Sequence, residues 1–352
     1  MTVKRIISLA ISLLLFCPNP AAQRLTWDID LHTVFDNREG SHDITPTETY
    51  FFTRLSPEIG LDFNRFGRIA GGVDWTQPIG NGWDDPHFSP TLYYRYESRP
   101  LDFSFGMFPR TQLREELPGF LWCDSLEYFQ PNIRGALVQY QSEKGFVDFY
   151  LDWRQMQTRK KREAFNIVLH SQWNHSKGIF FAGGHAMMNH FALVKNAPAD
   201  QHIVDNFLVN PYIGADLTPV VALDSLRLRG GAVITIERNR SNGGWKTPAG
   251  GWLEIYGKWR FLGLKNTLYA GGALLPSYHE FGSQLYQGEP FYSRRFYNRT
   301  DIYAYIISNR YVDLRASLDF NVSKGSFIFY QCLKLRVYVS NFFSKKTIKE
   351  ET

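Results

Sequence analysis

The sequence predicts an all-β protein, an antiparallel transmembrane β-barrel of about sixteen strands, within a range of about 14–18. The first observation is an alternation of residue types: in residues 147–154, VDFYLDWR, every second side chain is apolar. Because successive side chains of a strand point to opposite faces, such a segment has one apolar and one polar face. The same alternation occurs in residues 25–32, 55–63, 311–320 and 333–339. The second observation is that short and long connections alternate between these segments.

The alternating segments divide the chain into sixteen predicted strands. Their spans are 24–36, 48–63, 68–77, 88–97, 101–110, 131–141, 146–157, 164–174, 178–191, 207–217, 225–237, 250–261, 266–275, 299–308, 311–320 and 326–341. Short connections at 64–67, 97–100, 142–145 and 174–177 alternate with long ones near 37–47, 78–87, 111–130, 192–206, 238–249 and 276–298. Outer-membrane barrels have short periplasmic turns and long extracellular loops, so an even strand number puts both termini in the periplasm.

The composition excludes several other classes of protein. The 352 residues are 44% hydrophobic, 16% aromatic and 21% charged, with a formal net charge of +5. The charged fraction is too high for a bundle of membrane helices, and the aromatic fraction is too high for a disordered chain. No dense basic patch indicates nucleic acid as a partner. A large secreted β-sandwich is the alternative fold, but no linker divides the chain into domains as a sandwich of this size would require.

Residues 1–22 have the pattern of a cleaved signal peptide. Lys4 and Arg5 precede an apolar run at 6–16, which is too short to span a bilayer, and Ala21-Ala22 offers a cleavage site before Gln23. A lipoprotein signal with Cys17 as the lipidated residue is the competing interpretation, although Phe16 stands where such signals carry a small residue. A buried N-terminal helix is the remaining alternative. Cleavage leaves Cys123 and Cys332, which are too few and too isolated for a disulfide scaffold or a zinc finger.

Aromatic residues and the last strand carry a resemblance to a known class. Amphipathic rings lie near the ends of the apolar faces, at Trp75, Tyr94, Tyr96, Trp153, Trp173 and Trp259. The last strand ends in the aromatic Phe343, although a charged tail, residues 344–352, follows it. Together with the signal peptide and the alternating strands, these features resemble a Gram-negative outer-membrane barrel of the porin-like class over residues 23–343. The segment 105–110, FGMFPR, is similar to a strand ending of substrate-selective porins.

The resemblance implies a location and partners. It implies export through the Sec signal to the outer membrane, contact with outer-membrane lipid and lipopolysaccharide, and insertion by the barrel-assembly machinery through the strand ending at Phe343. It also implies passive or weakly selective passage of small hydrophilic solutes, often through a homo-trimer, without a cofactor.

The polar faces of the strands predict the lining of a pore. A charge facing the lipid midplane costs roughly 2–4 kcal/mol, so the charged faces must point inward. The pore-lining candidates are Asp28, Asp30, His32, Arg54, Glu58, Arg95, Asp148, Asp152, Arg154, Arg227, Arg229, Glu254, Lys258, Asp313, Arg315, Lys334 and Arg336. Their signs are nearly balanced, which argues against a dedicated phosphate or cation pore, and most of them are expected to pair across strands. Arg227 and Arg229 form the most suggestive anion-facing pair.

Two long loops carry further candidates. Loop 111–130 is the candidate constriction, through Arg114, Glu115, Glu116 and Asp124, if it folds into the barrel; an extracellular cap is the alternative. Loop 276–298 combines tyrosines and phenylalanines with Arg294 and Arg295. Its rings are expected to pack against each other, or to stack on a ligand such as a sugar. The sequence leaves open whether Cys123 and Cys332 form a disulfide bond.

Motifs of catalysis are missing from the sequence, so the chain is predicted not to be an enzyme and to use no metal. It has neither a G-x-S-x-G nor an H-E-x-x-H motif. Asp28, Asp30 and His32 share one strand face and could hold a metal or activate a water, although such a row is more often the hydrated wall of a channel. A plugged receptor or adhesin barrel is the alternative function, and a barrel hydrolase ranks after it.

Overall fold

The chain forms a closed barrel. The computed structural model describes residues 24–40, 44–63, 66–80, 85–175, 178–241 and 243–341. These residues form sixteen antiparallel strands in one closed sheet, which confirms the predicted fold and strand number. The predicted signal peptide, Phe343 and the charged tail lie outside the described residues.

The strands follow the period-two segments closely. They are β1 (Arg24–Gly40), β2 (Glu48–Asp62), β3 (Gly67–Pro78), β4 (His87–Ser98), β5 (Leu101–Pro109), β6 (Asn132–Ser142), β7 (Gly145–Gln155), β8 (Ala164–Asn174), β9 (Phe180–Phe191), β10 (Val204–Asp216), β11 (Ser225–Asn239), β12 (Ala249–Trp259), β13 (Leu262–Gly271), β14 (Phe296–Ser308), β15 (Val312–Ser323) and β16 (Ser326–Ser340). Two short helices, α1 (Asp124–Phe129) and α2 (Tyr278–Phe281), lie in the loops. Short 3-10 turns occupy Arg110–Gln112, Thr218–Val220, Gly282–Gln284 and Pro290–Ser293.

Each strand pairs with its neighbours in sequence, and β1 pairs with β16 to close the ring. The strand β13 begins and ends four residues earlier than the predicted span 266–275. Its apolar alternation starts at Leu262, directly after the turn that follows Trp259. None of the helices among the described residues is long and apolar enough to cross a membrane.

The outer surface is an apolar belt. In the middle of the wall, Leu264, Ile302 and Leu318 lie in register on β13, β14 and β15, and all three are exposed. Toward the strand ends the exposed side chains include Trp153, Trp173 and Trp259. An apolar belt bordered by large aromatic rings is the surface that a barrel presents to a bilayer.

The two ends of the barrel differ. One end, called the turn end below, holds the β4–β5 and β6–β7 turns and the first residues of β1. The opposite end, called the loop end, holds the long connections, of which 110–131 and 272–295 are the longest. The β15–β16 connection, Lys324-Gly325, is the exception, because it is a tight turn at the loop end.

The core of the molecule lies inside the barrel. Both long loops fold inward, and their Phe120, Leu121, Leu285 and Phe291 are fully buried in one apolar cluster with inner-face strand residues. The loops therefore fill much of the lumen among the described residues.

A glycine allows β4 and β5 to approach closely before the first loop begins. Gly106 on β5 has a φ of +124°, and a Cβ there would lie 2.3 Å from the carbonyl oxygen of Leu92 on β4. This residue stands in the segment 105–110, three residues before the strand ends at Pro109. Only glycine fits this conformation and this close approach of two backbones.

Candidate functional site: the loop-lined lumen

Loop 110–131 is anchored on the β5–β7 wall by two arginines. Arg110 donates to Asp152 of β7 at 2.6 Å. Arg114 donates to Asp148 of β7 at 3.1 Å and to Asp102 of β5 at 3.2 Å. Asp148 and Asp152 are almost completely buried, so charge-assisted hydrogen bonds are needed to compensate their desolvation. The loop thus lies inside the barrel, which is where a constriction belongs.

The next residue of the loop binds the opposite wall. Glu115 lies 3.4 Å from Arg227 and 3.7 Å from Arg229, both on β11. Arg229 also donates to Glu254 of β12 at 2.7 Å. Arg227 and Arg229 thus face carboxylates of the protein itself, and their role toward solute anions stays a prediction. Their carboxylate partners come from a loop and a neighbouring strand that the local sequence does not reveal.

The rest of the loop crosses to the far side of the lumen. Phe120 packs edge-to-face against Trp252 of β12, with centroids 5.6 Å apart. At α1, Asp124 reaches Arg299 of β14 at 2.9 Å, and the Tyr128 hydroxyl donates to Asp36 of β1 at 3.0 Å. One loop therefore touches walls on all sides of the barrel.

The second inward loop, 272–295, is held by a buried carboxylate. Glu237 of β11 is 1% exposed and accepts hydrogen bonds from Ser277 at 2.6 Å, from Asn206 at 2.8 Å and from the Tyr286 hydroxyl. On another wall, Arg154 of β7 donates to backbone carbonyls of residues 283–285. The rings of this loop pack against the loops and the wall, which is the first of the two predicted arrangements.

Both loops meet at one arginine. Arg299 of β14 lies 2.9 Å from Asp124 of the first loop and 3.8 Å from Glu289 of the second. It also binds Asp301 at 2.7 Å and Asp319 at 3.2 Å on the wall. Glu289 in addition accepts the backbone N–H of Asp124 at 3.0 Å, which ties the loops to each other.

The pKa values of the two loop carboxyl groups at this junction, Glu289 and Asp124, are shifted in opposite directions. Burial and the neighbouring Asp124 carboxylate raise the pKa of Glu289 to about 7, against the opposing effect of Arg299. Burial alone would also raise the pKa of Asp124, but the Arg299 guanidinium holds that pKa well below its ordinary value. The junction therefore contains one carboxylate that stays ionised and one that titrates near neutral pH.

A cationic strip remains on the wall that the loops leave partly open. It consists of Arg315 (β15), Lys334 and Arg336 (β16), His32 (β1) and Arg54 (β2). Arg336 pairs in register with His32, and His32 pairs with Arg54. Lys334 pairs with Arg315. Arg336 is 36% exposed and binds Asp30, which is 23% exposed, whereas Asp148 on the loop-covered wall is 3% exposed.

Two members of the strip are not neutralised directly. Lys334 lies 4.9 Å from the ring centroid of Tyr128, and no carboxylate of the described residues lies within 4.0 Å of its ammonium group. Arg54 donates to the Tyr128 carbonyl oxygen at 3.0 Å and contacts His32 at 3.2 Å. Glu127, an exposed residue of α1, is within electrostatic range of Lys334, of Arg315 and of Glu116. Exposed loop carboxylates thus face a half-buried basic wall.

The predicted pore-lining residues share the inner-face parity of their strands. This holds for Asp28, Asp30, His32, Arg54, Glu58, Arg95, Asp148, Asp152, Arg154, Arg227, Arg229, Glu254, Lys258, Asp313, Arg315, Lys334 and Arg336. Their role in conduction stays a prediction. Asp30 with Arg336 and Arg229 with Glu254 pair across strands, whereas Asp148, Asp152 and Arg227 pair with residues of loop 110–131.

The row from Asp28 to His32 lies in the inner wall of the barrel. Asp30 binds Arg336 and His32 contacts Arg54, so the row is part of the charged lining. Within the described ranges, no three His, Cys, Asp or Glu side chains are grouped as a metal site would require. Cys123 and Cys332 are both free and buried.

Sequence reasoning missed one interior cluster. His170 of β8 and His185 of β9 are register partners, and their rings stack with centroids 4.1 Å apart. The Tyr212 hydroxyl lies 3.3 Å from His170, and Asn210 contacts His185 at 3.1 Å. The inward parity of both histidines, on strands joined by a short turn, was the available signal.

The chain is similar in fold to solved porins. It matches Pseudomonas aeruginosa OpdK in complex with vanillate with a TM-score of 0.52 and 8% identity, covering 90% of this chain and 98% of that one. It matches P. aeruginosa OccK2 with glucuronate with a TM-score of 0.52 and 6% identity, covering 90% and 98%. It matches a BenF-like porin from P. fluorescens Pf-5 with a TM-score of 0.53 and 7% identity, also covering 90% and 98%. The predicted porin-like architecture is thereby confirmed.

Sequence comparison adds a different finding. No curated protein matches the chain. The sequence model of the family described as Lipid A 3'-O-deacylase-type matches residues 18–346. The prediction that the chain is not an enzyme is contradicted by this match, because the family is described by an enzymatic reaction. The absence of the familiar hydrolase motifs was not a sufficient test. Because the match extends over nearly the whole sequence, the chain belongs to the Lipid A 3'-O-deacylase-type family.

Proposed function

We propose that the chain is a constricted outer-membrane channel for small hydrophilic solutes that carry a carboxylate. The observation that carries the proposal is the cationic strip of β15, β16, β1 and β2, which faces the exposed loop carboxylates Glu116 and Glu127.

The loops confine the proposed solute path to one side of the lumen. They bind the walls of β5, β7, β11 and β12 through Arg114, Glu115 and Phe120, and those walls are buried. The strip keeps partly exposed side chains, such as Arg336. A solute path therefore follows the strip, and its narrowest part lies between Lys334 and the loop carboxylates.

The separation of charge explains a preference for carboxylates. Charges lining a narrow, partly desolvated pore set which ions enter it. A carboxylate moving along the strip meets Lys334 and Arg54, while the polar remainder of the solute faces Glu116 and Glu127. The vanillate complex of OpdK and the glucuronate complex of OccK2 support this choice, because each of those porins is similar in fold and binds a carboxylate.

Single-channel recording in planar bilayers tests the proposal. We expect discrete conductance steps for the refolded protein, with block by millimolar benzoate-type or uronate anions. Lys334→Gln should weaken this block and shift the reversal potential toward cations, whereas Glu116→Gln/Glu127→Gln should shift it toward anions. Lys246→Gln, which removes an equal charge from an exposed outer loop, is the matched control and should change neither.

Two outcomes contradict the proposal. A folded barrel, verified by heat-modifiable gel mobility, that does not conduct would show that the loops plug the lumen, as in a receptor barrel. Equal reversal potentials for the Lys334 and Lys246 variants would show that the strip does not face the ions.

Family membership favours a second function, hydrolysis of an acyl ester of lipid A. In this reaction water adds to the ester carbonyl, and the products are a free fatty acid and the sugar hydroxyl. Incubation of the purified protein with lipid A and mass spectrometry of the products tests it. Release of acyl groups from the lipid would support it, and unchanged lipid, with or without added divalent cations, would count against it.

A further inference from the structure

A cavity of about 500 Å³ lies at the turn end of the barrel, beside the β4–β5 and β6–β7 turns. Gln141 of β6, Phe146 of β7 and Asn174 of β8 line it, and all three have the inner-face parity of their strands. Arg99 and Glu143 line it from the two turns. Sites for small molecules have volumes of roughly 300–1,000 Å³, so this cavity is large enough for one ligand.

Two side-chain amides at this cavity have their oxygen atoms engaged by the protein. Gln141 Oε1 accepts a hydrogen bond from Arg114 at 2.5 Å, and Asn174 Oδ1 accepts one from Gln172 at 2.9 Å. Gln172 is itself fixed, because it accepts from Arg227 at 2.6 Å. Since the acceptor atoms of the two lining amides are occupied, these amides offer N–H donors to a ligand. A carboxylate, which only accepts hydrogen bonds, matches such donors.

The cavity also has one charge of each sign without an ionic partner. Arg99 and Glu143 are both exposed, and in the described part of the chain neither has an oppositely charged group within 4.0 Å. The two side chains therefore line one cavity without reaching each other. Guanidinium groups bind carboxylates, and carboxylates bind ammonium groups, through charge-assisted hydrogen bonds. A ligand that carries both charges can fill the space between them.

An aromatic ring supplies the apolar part of the cavity wall. Phe146 is half-buried, and the His170 imidazole packs edge-to-face against it with centroids 4.9 Å apart. The phenyl ring is thereby held against the inner wall and offers apolar surface beside the amides and the charges. A few convergent polar groups beside an apolar surface are the usual composition of a small-molecule site.

We propose that this turn-end cavity binds a small dipolar molecule with a carboxylate and an ammonium group, as in a free α-amino acid. Arg99 and the two amides bind the carboxylate, Glu143 binds the ammonium group, and Phe146 contacts an apolar side chain. The cavity lies on the side of β4 to β8, whereas the cationic strip lies on β15, β16, β1 and β2. The assignment is therefore separate from the proposed solute path and does not require conduction through the lumen.

Isothermal titration calorimetry of the refolded protein in detergent, with L-phenylalanine as the probe, tests the proposal. Two analogues separate the charges, because hydrocinnamate lacks the ammonium group and phenethylamine lacks the carboxylate. We expect each analogue to bind on the order of tenfold more weakly than L-phenylalanine, as for the loss of one hydrogen bond to a charged group. Equal affinities for the three compounds would overturn the proposal. This comparison uses the unmodified protein alone, so it does not depend on the folding of a variant.

Single substitutions assign each charge to its side chain. Arg99→Gln should weaken L-phenylalanine binding about tenfold without weakening phenethylamine, and Glu143→Gln should do so without weakening hydrocinnamate. Lys144→Gln is the matched control, because this exposed cation is in the same turn as Glu143 and does not line the cavity. Unchanged binding of L-phenylalanine in both cavity variants would overturn the assignment. Loss of binding in Lys334→Gln instead would place the amino acid at the cationic strip and would equally overturn it.

Discussion

Replacement of Arg299 is the sharpest perturbation of the lumen. This side chain holds both inward loops to the wall through Asp124 and Glu289, and it also binds Asp301 and Asp319. Arg299→Gln keeps a similar length and removes the charge. Four carboxylates, of which Glu289 and Asp319 are less than a tenth exposed, would then repel each other without a cation between them.

The expected size of the effect follows from that burial. Loss of one partner from a buried ion pair costs about 3–5 kcal/mol, because the remaining charge stays desolvated. The same free energy lowers the ratio of docked to undocked loops by between about a hundredfold and a few thousandfold. The barrel wall should survive, because the substitution leaves the backbone pairing of residue 299 with Thr267 and Asn321 in place.

Single-channel conductance and proteolysis both measure whether the loops remain docked. We expect a larger single-channel conductance for Arg299→Gln and faster cleavage by chymotrypsin within 110–131 and 272–295. Arg240→Gln is the matched control, because this arginine binds Asp205 at an exposed site directly after β11 and outside the cationic strip, where an ion pair contributes little. A folded Arg299→Gln barrel with unchanged conductance and unchanged resistance to chymotrypsin would refute the inference that this junction docks the loops.

Three further predictions follow from other features. Gly106→Ala should destabilise the barrel by about 1–3 kcal/mol, since its φ is positive and the added Cβ meets a carbonyl oxygen, and Gly251→Ala, with open space around it, should leave the melting temperature unchanged. Ile302→Arg should cost about 2–4 kcal/mol in urea unfolding from lipid vesicles, and Phe296→Arg at the strand end about 0–1 kcal/mol; equal costs would contradict the belt assignment. The carboxyl group of Glu289 has a pKa raised from 4.5 to about 7 in the docked loops, so docking is strongest below pH 4.5 and weakens as the pH rises toward about 7. Conductance should therefore increase over this interval, and Glu289→Gln should reduce this increase; a wild-type conductance that falls with rising pH would contradict the sign.

The strands were accessible to sequence reasoning because their signal is local. Each strand of the wall has lipid on one side, so its own residues alternate, and the predicted spans agree with the structure to within a few residues at most ends. The strand β13 shows the largest shift, with both of its ends displaced by four residues.

The interior was less accessible because its contacts are remote. Glu115 meets Arg227, which is 112 residues away, and no local pattern shows that a loop will supply that carboxylate. The inward direction of loop 110–131 was one of two open alternatives. The matched family is described by a reaction that no short motif in this chain indicates.

The path of loop 110–131 has a consequence for how the barrel is assembled. The seam between β1 and β16 joins residues as distant as Asp28 and Ser340, and such a pairing forms late because little local structure guides it. The loop binds β14 through Asp124 and β1 through Tyr128, so it spans the seam from inside. If the loop binds β14 and β1 before the sheet closes, it holds the edge strands β1 and β16 near each other. The same loop that narrows the lumen would then also assist closure of the barrel.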